Sequence, residues 1–180
     1  MKNAFLVGKK TYLRPVELSD TELIQKWHND PRIRRLARLG ELPVTYVKEE
    51  DDIRIAKQTR EEIYLMIVKK SDNRSIGFIR LNFIDVVSRN MWLRMIMGDA
   101  NARGKNFAKD ALRCVLEWLF YEQNVHRVTL ETYETNKRAI RFFKKLGFKQ
   151  EGIVREALYV GGTYYNIIAL GLLCGEFKNK

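Results

Sequence analysis

Little in this chain could build a covalent or metal-held scaffold. It has two cysteines, two histidines and three prolines among 180 residues. Cys114 and Cys174 each sit in an apolar segment, which reads as two buried free thiols and not as a disulfide framework. His28 and His126 are far apart and away from other ligand types, so no metal site is expected. Long apolar runs are also missing. None approaches the ~18 residues of a membrane helix, and no apolar core with a cleavage site opens the sequence. These absences read as a cytoplasmic protein with no membrane partner. Acidic residues are scarce relative to basic ones, 22 against 33, for a net charge of +11. That excess favours an anionic partner: nucleic acid, a protein bound to nucleic acid, or a phosphorylated cofactor. The standard phosphate loops are absent too, since residues 98–108 contain neither G-x-G-x-x-G nor G-x-x-x-x-G-K-[ST].

What is present is an ordinary globular composition, 46% hydrophobic and 31% charged, with no repeat, low-complexity tract or linker. One domain over 1–180 is expected. YLRPV at 12–16 reads as an opening strand. Ser19 and Glu22 form a capping-box pattern for a helix running to about Asn29, with Leu23, Ile24 and Trp27 at helical spacing. Further helix is expected over 31–38 and 45–60, with loop at 39–45. Glu49, Glu50, Asp51 and Asp52 read as a solvated, dipole-favoured helix start. The period then changes to that of strands at 63–68, 76–84 and 91–97, joined by polar turns, an antiparallel meander. A helix at 106–121, a strand at 126–133, a helix at 136–146 ended by Gly147, and strands from 148 and over 163–173 complete the pattern. Alternating strand and helix from 91 to 150 predict crossovers and locally parallel pairing within a mixed sheet.

Two segments suggest chemistry. Arg103, Gly104 and Lys105 stand between a strand and a long apolar helix. A helix start offers unpaired N–H groups and a dipole that favours anions, and glycine lets backbone approach a ligand closely. A solvated basic turn is the plain alternative. The second segment, residues 136–149, carries Lys137, Arg138, Arg141, Lys144, Lys145 and Lys149 with no acid. It reads as a solubilising face, a nucleic-acid patch or a contact for an adenosine 3′-phosphate.

These segments resemble the GNAT N-acetyltransferase superfamily, in particular its bacterial branch of ribosomal-protein alanine and spermidine acetyltransferases. The likeness rests on R-G-K-N-F-A at 103–108, on N-K-R-A-I-R-F-F-K-K-L-G-F at 136–148, and on K-Q-E-G-I-V-R-E at 149–156. It implies an α/β (α+β) fold whose mixed central sheet splays into a V at an acetyl-coenzyme A site. Backbone amides of Arg103, Gly104, Lys105, Asn106, Phe107 and Ala108 would cradle the pyrophosphate. Pantetheine would run along Met95 and Met97 and meet Asn136, with Phe143 and Lys145 also on the cofactor side. The N–H of a residue near Met95–Met97, with Met97 the choice, would steady the acyl oxygen.

Three positions depart from the family pattern. Phe143 stands where a tyrosine commonly protonates the leaving thiolate, which leaves Tyr133, Tyr121, water or no donor. Leu93 stands where relatives often hold a glutamate, which leaves Glu131 first, then Tyr133, Asp85 and Glu62, as candidate bases. Asn106 stands where glycine is usual, and asparagine tolerates unusual dihedrals. Trp27, His28 and Tyr46 are the N-terminal groups that could face an acceptor, although Trp27 also fits a core position and His28 a helix cap. The implied reaction is acetyl transfer to a protein N-terminus or small amine, by a monomer or homodimer able to work near ribosomes. Polyamine or amino-sugar transfer, an inactive coenzyme A-binding relative, and a basic nucleic-acid-binding module are the alternatives.

Overall fold

The computed structural model describes residues 3–35, 42–59 and 62–178. Eight strands form one mixed sheet: β1 (Leu6–Val7), β2 (Thr11–Pro15), β3 (Glu62–Lys69), β4 (Ser75–Asp85), β5 (Asn90–Ile96), β6 (Arg127–Tyr133), β7 (Lys149–Val160) and β8 (Thr163–Leu173). Their spatial order is β1-β2-β3-β4-β5-β6-β8-β7. The helices are α1 (Thr21–Asn29), α2 (Pro31–Arg34), α3 (Tyr46–Gln58), α4 (Phe107–Glu117) and α5 (Lys137–Lys145). Neighbouring strands are antiparallel except β5 and β6, which the α4 crossover brings together in parallel. The α5 crossover instead carries the chain past β6 to the far edge, and β8 fills the gap between β6 and β7.

The central strands are apolar on both sides because both faces of the sheet are covered. Leu65, Ile67, Ile79, Leu81, Leu93 and Val128 pack beneath α4 and α5. The alternate positions Tyr64, Met66, Phe78 and Ile96 pack beneath Ile24, Trp27, Ile33 and Ile53 of α1, α2 and α3. The period of two along each strand therefore feeds two cores.

Several sequence expectations need correction. The two-residue β1 precedes the expected first strand and has too little pattern to announce itself. The capping box is Glu17 with Asp20, around a short 3-10 turn at Leu18–Asp20, and α1 follows directly. Asp20 is held there by Arg14 at 2.7 Å, which is why it, and not Glu22, turns back to the Glu17 amide. The expected 31–38 helix is α2, which ends at Arg34; residues 36–38, like 39–41 of the expected loop, lie outside the described residues. Residue 60, the end of the expected 45–60 helix, lies outside them as well. The last turn of the long 106–121 helix is a π turn, Trp118–Glu122. Along α5 only Phe143 is buried, whereas Ala139 and Ile140 are half-buried.

The acidic start of α3 is the largest change. Glu49 is 0% exposed. Its carboxylate lies 2.6 Å from His28 Nδ1, and Tyr64 donates to it from 3.4 Å. Thr45 caps the helix through the Lys48 amide. Glu50 and Asp52 pair with Arg54 and Lys48 one turn away on the same helix. The run of acids is thus one buried anchor, two local ion pairs and, at Asp51 alone, an exposed carboxylate as expected. His28 is not a helix cap: it is 8% exposed and packs edge-on against Phe78. Burial holds the Tyr64 phenol well above its ordinary pKa, and Glu49 adds to the effect.

Candidate active site

The parallel pairing between β5 and β6 covers only Asn90–Trp92 against Arg127–Thr129. From Leu93 to Ile96, β5 keeps its β4 partner and no longer pairs with β6. One edge of β5 is therefore open exactly where the two strands part. Unpaired strand edges present N–H and C=O groups ready for another extended chain. The chain leaves β5 through Met97 and Gly98. A Cβ at position 98 would stand 2.1 Å from the indole of Trp27, so only glycine lets α1 close on the strand end. On the other side of this link, Arg103 Nε and Nη2 donate to the Met97 carbonyl at 3.2 and 3.0 Å.

The following turn reaches α4 through two left-handed residues, Gly104 (φ 81) and Asn106 (φ 66), the latter being the helix N-cap. Asparagine is among the non-glycine residues that enter this region most readily, which explains how it stands there. The first turn of α4 is pinned by Asp110, whose carboxylate accepts from the amides of Lys9, Lys10 and Thr11 and from the Thr11 hydroxyl. Facing it across the splay is the start of α5, where Asn136 caps the helix by accepting from the Ala139 amide at 3.1 Å.

Between these two helix starts lies a cleft of about 570 Å³. Of the expected cofactor residues, Met95, Met97, Arg103, Gly104, Asn106, Ala108, Asn136, Phe143 and Lys145 line it. Lys105 and Phe107 do not. The Lys105 carbonyl accepts from Lys10 Nζ, and the Phe107 ring packs into the core beneath Lys10 Nζ. Arg138, Arg141 and Lys109 also line the cleft, so part of the basic 136–149 segment faces a cavity and not only bulk water. Ile33, from α2, forms another wall that no sequence signal indicated. Phe143 packs edge-on against both Phe142 and Phe148 and brings no hydroxyl to this wall.

The expected acid–base groups are more scattered. Val128 and Leu130 point into the α4–α5 core, so Glu131 and Tyr133 point to the opposite face of β6. Glu131 is half-buried, Tyr133 is 5% exposed, and neither lines the cleft. Asp85 is exposed and accepts from the Ser88 amide and hydroxyl in a turn, which lowers its pKa. Glu62 is paired with Arg80. Tyr121 lies in the π turn against Phe177, at the end of α4 away from the cleft. Asp85, Glu62 and Tyr121 are therefore withdrawn as acid–base candidates. Cys114 and Cys174 are half-buried free thiols, and burial pushes Cys114 up to about 11.

Comparison with known proteins bears on the family and the fold. The family model for the acetyltransferase (GNAT) domain matches residues 10–149. An SPbeta prophage-derived uncharacterized N-acetyltransferase, YokL, of Bacillus subtilis (strain 168) is 30% identical over 69% of this chain and 70% of its own. The spermidine N(1)-acetyltransferase of Escherichia coli (strain K12) is 25% identical over 88% of this chain and 83% of its own. Among solved structures, the spermidine N-acetyltransferase of Vibrio cholerae in complex with CoA and spermine superposes with a TM-score of 0.85. That match has 21% identity and covers 93% of this chain and 97% of the other. No described helix is long and apolar enough to cross a membrane.

Proposed function

Because the chain belongs to the GNAT acetyltransferase family, we propose that it transfers an acetyl group from acetyl-coenzyme A directly to a primary amine, on a protein N-terminus or a small molecule. The observation that carries this reading is the open edge of β5 from Leu93 onward, ending beside a helix start built on two left-handed residues. Such a helix start receives phosphate through its free amides and its dipole. The cleft fits coenzyme A chemically. It is apolar along Met95, Met97 and Phe143, and basic at Lys109 on α4 and at Arg138, Arg141 and Lys145 on α5.

Bound acetyl-coenzyme A supplies a thioester whose oxygen gathers negative charge under attack by an amine and whose sulfur departs as thiolate. The chain's own part is to hold and to move protons. The Arg103 amide already donates to the Ala100 carbonyl at 3.2 Å, so the expected cradle shortens to the backbone amides at 104–108. These would bind the diphosphate, and the Met97 N–H would meet the acyl oxygen, where preorganised donors contribute most. An alkyl ammonium must lose a proton before it can attack. Glu131, on the strand that parts from β5, is the group we assign to take it; because it faces the other side of β6 and does not line the cleft, it acts through water. Tyr133 on the same face is the second choice. With Phe143 in the cleft wall, no phenol protonates the sulfur from that position.

Charge distribution bears on the acceptor. A polyamine carries several ammonium groups, and each asks for a carboxylate. On the α1–α3 side of the sheet the described acids are largely engaged already. Glu17 pairs with Lys57, Asp20 with Arg14, Asp30 with Arg32, Glu49 with His28, and Glu62 with Arg80. This favours an acceptor with a single amine. A polyamine acceptor is the second reading, favoured by the relatives named spermidine acetyltransferases. The test is a thiol-release screen of spermidine, amino sugars and N-terminal peptides, with mass detection of product. Release with peptides or monoamines above spermidine is expected. Absence of release with every acceptor would refute transfer, and saturable coenzyme A binding without release would point to an inactive relative.

A further inference from the structure

Arg103 does not use its charge as its place in the phosphate turn suggests. A cation beside an anion-binding helix start is expected to reach toward the anion. Here the guanidinium folds back along the chain and gives two donors, Nε and Nη2, to one acceptor, the Met97 carbonyl. Met97 is the first residue beyond β5. The next residue, Gly98, is covered by the Trp27 indole so closely that no Cβ would fit. The Asp99 amide is tied to the Ile76 carbonyl at 3.1 Å. The link leaving the open edge is thus gripped by a side chain from the phosphate turn, a ring from α1 and a backbone bond to the β4 end.

Gripping this carbonyl has a consequence for the amide of the same residue. In extended backbone the N–H and C=O of one residue project to the same edge. Fixing the Met97 carbonyl therefore fixes where the Met97 N–H points. Charge-assisted bonds of this kind are about twice as strong as neutral ones, so the guanidinium is suited to hold an otherwise free strand end. We propose that Arg103 is a positioning residue: its side chain holds the Met97–Gly98 peptide so that the Met97 N–H faces the acyl oxygen, and it is not itself a ligand of the diphosphate. This rests on the acetyl-transfer reading above. It separates two roles within one turn, with backbone amides for the phosphate and the Arg103 side chain for the acyl end.

The test compares Arg103→Met, Arg103→Gln and Arg103→Ala in the full chain. Three readouts are taken: steady-state kinetics, calorimetric affinity for coenzyme A, and the Gly98 amide ¹⁵N resonance of the ligand-free protein. The Gly98 nitrogen shares a peptide with the Met97 carbonyl and reports its hydrogen bond. Removing a donor to the acyl oxygen outright costs about 10²–10³ in kcat, so loosening one is expected to cost about tenfold. Arg103→Met should therefore lower kcat about tenfold, leave coenzyme A affinity within about twofold, and shift the Gly98 resonance. Arg103→Gln, with one amide able to donate, should fall between, and added guanidinium ion should restore part of the Arg103→Ala rate. Unchanged kcat with affinity weakened tenfold or more would overturn the proposal, because the side chain would then be a phosphate ligand. Should the unaltered protein release no thiol with any acceptor, the transfer reading fails. The Gly98 resonance still decides the grip, since an unmoved signal in Arg103→Met overturns it.

Discussion

Replacing Asp110 with alanine should separate what holds the phosphate turn from what binds phosphate. The Asp110 carboxylate accepts from the Lys9 amide at 2.9 Å, the Lys10 amide at 2.9 Å, the Thr11 amide at 2.8 Å and the Thr11 hydroxyl at 2.7 Å. Lys9 and Lys10 are exposed, and water can replace their lost partner. Thr11 is 0% exposed, so its two donors would stay buried and unsatisfied. Each such donor costs about 1–3 kcal/mol, which puts the loss at about 3 kcal/mol after partial relaxation. For a chain of this length that corresponds to a fall in Tm of roughly 6–12 °C. The readout is thermal and urea unfolding followed by circular dichroism, with acetyl-coenzyme A kinetics in parallel. A Tm within about 2 °C of the parent would refute the reasoning, since the four bonds would then contribute nothing net. The pH dependence carries its own sign. Burial raises the Asp110 pKa, but the Thr11 hydroxyl and the three amides together outweigh burial, and the folded value lies below the ordinary 3.8. Its stabilisation is thus fully present above the unfolded pKa and is lost as pH falls through the lower, folded one. Acid unfolding of Asp110→Ala should be correspondingly less steep below pH 4.

Three other substitutions probe separate parts of the site. Phe143→Tyr places a phenol in the cleft wall; kcat should rise by about tenfold, and a descending limb should appear toward the tyrosine pKa of about 10, read from a pH–rate profile. Gly104→Val asks a β-branched residue to hold φ 81. Its strain of about 1–3 kcal/mol should displace the turn and raise KM for acetyl-coenzyme A about tenfold or more, with kcat less affected; unchanged cofactor kinetics would mean the diphosphate lies elsewhere. Glu49→Leu removes the buried hydrogen-bond partner of His28 and of the Tyr64 hydroxyl and should destabilise by about 1–3 kcal/mol, whereas His28→Leu with Glu49→Leu should recover part of the loss, as unfolding in urea would show.

The sequence made the frame legible wherever the signal was local. Short β-branched and apolar runs at 63–68, 76–84 and 91–97, set apart by polar turns, marked strands. Gly147 marked the end of α5 by local capping chemistry, while the Asn136 cap at its start became visible only in the structure. What escaped was decided by contacts between distant residues. Four consecutive acids look like a solvated helix start. The burial of Glu49 depends on His28, 21 positions earlier, and on Tyr64 in a strand not yet formed when α3 is considered alone. Likewise a basic residue in a polar turn gives no sign that its guanidinium will fold back onto Met97.

The same distinction explains why one end of the site was easier to read than the other. The cofactor end is made of contiguous chain: residues 103–108 lead into α4, and 136–145 form α5 with its cap. A run of neighbours can carry a motif, because helix geometry fixes what each does relative to the next. On the proposed reading, the acceptor end draws single residues from separate elements, Met97 after β5 and Glu131 and Tyr133 from β6, whereas Trp27, expected as an acceptor-facing group, is a buried core residue against Gly98. Elsewhere on the sheet, Asn166 on β8 accepts from the Glu156 amide of the β7 bulge, and its own backbone and side-chain N–H groups donate to Glu134, after β6. No spacing rule links such positions, because sheet order and helix packing bring them together. On that reading, changes at single positions such as Glu131 and Tyr133 can alter acceptor choice while leaving 103–108 and 136–145 untouched. Acceptor preference should therefore vary far more readily among relatives of this fold than the place of coenzyme A.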